Sequence, residues 1–387
     1  MTGPAAGSAA APRPSPGAAE QRATRIAFLI SGFGMAAWAP LVPFAKVRTG
    51  IDDAALGLLL LCLGAGSIVA MPVAGALAAR LGCRSVIAAS AVLVAVVLPL
   101  LATASATPLL AAALLAFGAA VGAIDVAMNI QAILVERASG RAMMSGFHGL
   151  FSLGGIAGSA GMAAALGAGA SPLAAALCVS ACVFAGLAAA VPHLLPYGSG
   201  TGGPAFAVPR GVVLFIGVLG FVLFLTEGAV LDWSAVFLSS ERGLEAGLAG
   251  LGYAAFSAAM AAGRLAGDRI VARLGGRAVI RMGGLCAAAG FALATLVPSW
   301  PLALLGYALV GAGCANIVPV LFTAAGRQTA MPESVAVPAI TTLGYAGILA
   351  GPAAIGFVAH ASSLQAAFLL VAVLLLGVSA SGRFLRV

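Results

Sequence analysis

The run Ala79-Arg80-Leu81-Gly82-Cys83-Arg84 returns as Ala272-Arg273-Leu274-Gly275-Gly276-Arg277, displaced by 193 residues in a chain of 387. Each copy is a short basic turn between two long apolar segments. A repeat at half the chain length, set among hydrophobic spans, predicts two tandem halves of a membrane bundle. Such halves place a polar site at their interface, near the middle of the bilayer. That design suits the movement of a solute.

Composition excludes a soluble domain: 62% of residues are hydrophobic and 8% charged, and the mean hydropathy is +1.13. A soluble chain of this length needs far more charge to cover its surface. Roughly 20 apolar residues cross a bilayer as a helix, and the backbone is satisfied there only in helices or closed barrels. The apolar runs are helix-length, rich in Ala, Leu and Gly, and do not alternate, which excludes a barrel. The fold class is therefore all-α membrane protein, with twelve transmembrane helices in two six-helix halves. The expected spans are 26–47, 54–79, 85–104, 108–135, 142–168, 172–195, 211–238, 247–272, 278–297, 301–325, 334–359 and 364–382. The first half covers 24–195 and the second 211–387. Residues 1–23, rich in Ala, Pro and Gly, are expected to be a disordered cytoplasmic tail, and 196–210 a cytoplasmic linker. The tail holds no short apolar core with a cleavage site, so the first span stays in the protein.

Charge sets the orientation. With the N-terminus cytoplasmic, all of the nineteen basic residues except Lys46, Arg48 and Arg242 fall on the cytoplasmic side. The net charge of +8 is thus topological, and no basic face with interleaved aromatics points to a nucleic-acid partner. The six cysteines lie in or beside spans and read as small packing residues. No cluster of Cys and His has metal-ligand spacing, and no cofactor is expected. The expected partners are the bilayer, a small-molecule substrate and protons, with a monomer as the working unit.

The segment Gly75-Ala76-Leu77-Ala78-Ala79-Arg80-Leu81-Gly82-Cys83-Arg84 resembles the loop between helices 2 and 3 of the major facilitator superfamily. Ala79 stands where that loop carries an acid. The second half keeps an acid in Gly263-Arg264-Leu265-Ala266-Gly267-Asp268-Arg269. The resemblance covers residues 24 to 385 and implies gating or loop roles for Arg80, Gly82, Arg84, Arg264, Asp268, Arg269 and Arg273. Asp125-Val126-Ala127-Met128-Asn129 and Asn316-Ile317-Val318-Pro319 are similar to helices 4 and 10 of the fucose–galactose–glucose:proton symporter branch. Met128-Asn129-Ile130-Gln131 and Met144-Ser145-Gly146-Phe147-His148-Gly149 also resemble a bacterial subgroup of the superfamily.

Ionisable groups inside spans are costly, which makes them functional candidates. Asp125, Glu227 and Asp232 lie well inside apolar runs. Asp125 and Asn129 share a helix face with Gly118 and Gly122. A carboxylate beside an amide can bind hydroxyls, and a carboxylate taken out of water is a natural proton carrier. The bland alternative is a structural pair bonded to a neighbouring helix. Glu227 and Asp232 sit about 140° apart on their helix and cannot share a face, and depth favours Glu227 for the cavity. Asp232 could instead pair with Arg242 near the mouth. Glu136 reads as an ion-pair partner of a basic loop such as Arg80 or Arg84, and Arg264 and Asp268 as gate or helix-end residues. Trp38, just before Pro40 and Pro43, lies where helix 1 should break, and can either stack on a solute or anchor the helix. His148 can relay protons or hold a neighbouring helix. Glycines at 154, 155, 158 and 161, and at 344, 347, 351 and 356, should supply the thin contacts a rocking motion needs.

These readings converge on a secondary transporter of the bacterial inner membrane. The leading expectation is proton-coupled symport of a small polar, sugar-like solute. The alternative is a proton-driven efflux antiporter, although the G-P-x-x-G-G pattern of drug exporters is missing from helix 5. An intramembrane aspartyl protease is disfavoured because Gly122-Ala123-Ile124-Asp125 lacks the G-x-G-D signature.

Overall fold

The computed structural model describes residues 16–51, 53–199, 208–245, 248 and 250–385. The helices follow the expected order: α1 (Ala18–Thr49), α2 (Leu58–Leu81), α3 (Cys83–Thr103), α4 (Thr107–Ser139), α5 (Met144–Gly167) and α6 (Pro172–His193) in the first half. The second half holds α7 (Val212–Arg242), α8 (Leu251–Leu274), α9 (Gly276–Leu296), α10 (Trp300–Arg327), α11 (Glu333–Ala361) and α12 (Leu364–Phe384). Among the described residues, eleven of these are long and apolar enough to cross a membrane. The exception is α8, which has the length at 24 residues but carries Arg264, Asp268, Arg269 and Arg273.

Three boundaries differ from expectation. Helix α1 starts at Ala18, inside the segment expected to be disordered; Glu20 in its first turn accepts from the Gly17 N–H at 2.7 Å and complements the helix dipole. The loop between α2 and α3 shrinks to Gly82, at φ 83° and ψ 159°, a conformation essentially reserved for glycine. Most of the expected linker, 200–207, lies outside the described residues.

Proline and polar residues interrupt two helices. In α1 the run Ala39–Leu41 is 3₁₀, between α-helical Ala18–Ala36 and Val42–Thr49, and Pro40 and Pro43 remove the donors a continuous helix needs. In α10, Ala315 and Asn316 separate Trp300–Cys314 from Ile317–Arg327.

The half-chain repeat is conformational as well as textual. Gly275 adopts φ 78° and ψ 154°, matching Gly82. Gly118 packs so closely on the Leu63 carbonyl that an added Cβ would fall 1.9 Å from its oxygen, and Gly311 meets Phe256 in the same way at 2.1 Å. Both pairs are 193 residues apart. Gly154, Gly155 and Gly158 of α5 and Gly344, Gly347, Gly351 and Gly356 of α11 serve their own halves, which corrects their expected place in the rocking contacts. Gly154 and Gly158 lie on the carbonyls of Leu29 and Phe33 in α1, and Gly347 lies on Phe221 in α7. The glycines at the seam are others: Gly75 against Ser334 and Pro338, and Gly146 and Gly149 against α8.

Candidate transport site

Asp125 and Asn129 lie on one face of α4, as four-residue spacing requires. The Asn129 amide donates to the Asp125 carbonyl at 2.9 Å and to its carboxylate Oδ1 at 3.1 Å. Asn129 is fully buried and its Oδ1 has no partner. Asp125 keeps partial exposure. Two residues on, Gln131 ties α4 to its neighbours: it donates to Thr24 Oγ1 at 2.9 Å and accepts from the Leu195 N–H at 3.1 Å.

The acid of the second half, Glu227 in α7, is also partly exposed. Tyr345 of α11 is half-buried and lies within electrostatic range of both Asp125 and Glu227. Glu227 further acts on Arg264 and Tyr253 of α8 and on Cys314 of α10. Arg264 is not a helix-end residue. It is 9% exposed, donates to Ser152 Oγ at 2.9 Å, and reaches the Ala315 carbonyl at the α10 break at 3.4 Å. Asn316 at the same break donates to the Gly263 carbonyl at 3.0 Å and rests its Oδ1 on Gly267.

His148 is buried at the seam between halves, its ring 5.3 Å from that of Phe28 and 5.6 Å from that of Phe322. Its Nδ1 lies 3.0 Å from the Met144 carbonyl. Trp38, at 5% exposure, belongs to an apolar cluster of the first half with Leu98, Phe117 and Met162, so little of it is left to stack on a solute. Asp232 is exposed, and the pairing with Arg242 is not formed. Arg242 instead caps the end of α9 through the Ala294 and Thr295 carbonyls and covers the Phe237 ring at 4.5 Å.

The hydrogen bonds that join the halves cluster at the end of the bundle where both termini lie. Arg137 at the end of α4 pairs with Glu333 at the start of α11 and bonds the Gly326 carbonyl. Thr323 donates to Glu136 at 2.6 Å, and Asp268 accepts from the Gly146 N–H at 3.0 Å. Glu136 also accepts from the N–H groups of Met143 and Met144, at 2.7 and 2.8 Å. Its expected pairing with Arg80 or Arg84 is therefore replaced by a bond across the seam. Arg84 is occupied by the carbonyls of Leu194 and Pro192. Arg80, Arg269 and Arg273 are exposed. At the same end a cavity of about 760 Å³ is lined in part by Arg137, Arg141, Asp268, Arg269 and Arg327. Among the described residues no cluster of His, Cys, Asp and Glu could hold a metal ion.

Ser152, Tyr253, Thr323, Glu333 and Tyr345 are additions to the residues singled out from sequence. Only Tyr345 carried a signal that could have found it, as a polar aromatic in a span of Ala, Gly and Ile.

Comparison with known proteins agrees with this architecture. The family model described as Major Facilitator Superfamily matches residues 25–327. An uncharacterized MFS-type transporter of Yersinia pestis is 57% identical over 370 residues, covering 95% of this chain and 96% of that one. The membrane protein MosC of Rhizobium meliloti is 34% identical over 351 residues, covering 89% and 84%. Among solved structures, the E. coli fucose:proton symporter superposes with a TM-score of 0.79 at 16% identity, covering 94% of this chain and 98% of that one. With two homologous six-helix halves, a polar seam between them and relatives across almost its whole length, the chain belongs to the major facilitator superfamily and is a multi-pass membrane transporter of small molecules, not an enzyme.

Proposed function

We propose that the chain is a proton-coupled symporter, working as a monomer, that moves a small polar, hydroxyl-bearing solute across the bacterial inner membrane by alternating access. The observation that carries this reading is the placement of Asp125 and Glu227. One comes from each half, both keep partial exposure in otherwise apolar spans, and both lie within electrostatic range of the half-buried Tyr345. Two carboxylates linked through one side chain can divide proton and solute handling between halves that move against each other. Asn129 orients the partly exposed Asp125 carboxylate, which is the group a solute hydroxyl can reach. The similarity to a fucose:proton symporter supports the fold on which such coupling runs. The bonds through Glu136, Arg137, Asp268 and Glu333 form the seal of one state, with both termini cytoplasmic.

Reconstituted protein under an acid-outside gradient tests this with labelled monosaccharides and their acid derivatives. Wild type should accumulate a solute against its gradient. Asp125→Asn keeps the shape and removes the charge, and should lose accumulation while reaching the membrane normally. Glu227→Gln should lose accumulation yet retain exchange of bound solute. Wild-type accumulation by Asp125→Asn would take proton handling away from that acid. Proton-driven movement of solute in the opposite direction would make the chain an antiporter.

A further inference from the structure

A cation in the middle of a bilayer-spanning helix costs roughly 2.5–3.5 kcal/mol on insertion scales, and more where water is excluded. Arg264 occupies such a place in α8 with only 9% of its surface exposed. A guanidinium has five N–H donors and no acceptor. Among the described residues Arg264 uses them on two partners, Ser152 Oγ at 2.9 Å and the Ala315 carbonyl at a long 3.4 Å. Both are neutral. The ion pair found among the described residues joins Arg137 to Glu333, so no carboxylate closes on Arg264. Glu227 is near enough to act on it, but stands beyond ion-pair distance.

Ala315 marks the α10 break, where the second segment, the 11-residue helix Ile317–Arg327, begins. The positive end of a half-helix adds to the field of the guanidinium. A neutral polyol would leave a buried cation with spare donors. A carboxylate would use two of them side by side in the fork geometry that arginine prefers. Because Ser152 belongs to the other half, an anion on Arg264 also touches a contact that must part when the halves rock.

We propose that the transported solute is an organic acid whose carboxylate docks on Arg264, beside the α10 break. This rests on the transport reading above and narrows its solute from polar to anionic. Asp125 and Asn129 are then left for the solute's hydroxyls.

Counterflow in proteoliposomes, run without a proton gradient, tests the class directly on the wild-type chain. The probes are matched pairs that differ by one carboxylate: D-glucuronate with D-glucose, D-galacturonate with D-galactose, and lactate with propane-1,2-diol. Saturable counterflow is expected for an acid and not for its neutral partner. Arg264→Lys keeps the charge but loses the fork, and should weaken apparent affinity by roughly tenfold or more. Arg264→Gln should lower counterflow below detection. Counterflow of a neutral member without its acid, of no member at all, or of an acid with unchanged affinity in Arg264→Lys would each overturn the proposal. Acid counterflow without gradient-driven accumulation would remove proton coupling and leave anion recognition standing. Gradient-driven accumulation of a neutral sugar alone would do the reverse.

Discussion

Arginines do matching work in the two halves. Arg84 donates to the Leu194 carbonyl at the end of α6, and Arg277 to the Leu385 carbonyl at the end of α12, at 2.9 and 3.0 Å. At the opposite end Arg48 caps α3 through Leu101 and Ala104, as Arg242 caps α9. Two of the three exceptions to the charge asymmetry, Arg48 and Arg242, thus satisfy helix-end carbonyls that have no intrahelical partner. Glu333 meets Arg137 from the other half. Glu333→Gln should therefore loosen the seal. Ile133→Cys, at a position 3% exposed on the cavity wall, reports this by reaction with an impermeant maleimide on inverted vesicles. Labelling should be several-fold faster in Glu333→Gln than with Glu333 intact. Equal rates would deny the pair a gating role, and labelling from outside intact cells would invert the orientation.

At the scale of elements, the turn after α2 and its copy after α8 have the same backbone but different neighbours. A Cβ at Gly82 would fall 2.2 Å from the Pro196 carbonyl oxygen, whereas a Cβ at Gly275 meets nothing within 4 Å. Gly275→Ala should cost only the backbone strain, on the order of 1–3 kcal/mol. Gly82→Ala should cost more, because the α6 exit must also move. Thermal unfolding in detergent compares the two, and equal shifts would mean that the Pro196 contact yields freely. This is also where sequence reading reaches furthest. A glycine held at one place in a 193-residue repeat announces a shared conformation. Proline spacing likewise announced the break in α1. The break in α10 follows from Pro319, which denies the Ala315 carbonyl its helical donor; that Arg264 of α8 takes this carbonyl was not legible.

For the whole molecule, twelve crossings were expected and eleven of the described helices have the length and hydropathy for one; α8 falls short because Arg264, Asp268, Arg269 and Arg273 lower its apolar character. The same four charges concealed its site. From sequence Arg264 resembles its neighbours near a helix end, and its separation from them depends on Ser152, 112 residues away. Glu136 was misassigned for a similar reason, since Thr323 lies 187 residues off in the other half. Periodicity places a residue on a face of its own helix. It does not say which helix of the other half comes to meet that face.

The central claim is that solute and proton move together through a path shared by Asp125 and Glu227. A pH-sensitive dye trapped in proteoliposomes reads it most directly. With equal pH on both sides, adding a transported sugar or sugar acid outside should acidify the lumen of wild-type vesicles, in proportion to solute uptake. Asp125→Asn and Glu227→Gln should each abolish that acidification. Solute entry with no lumenal pH change in the wild type would contradict coupling outright.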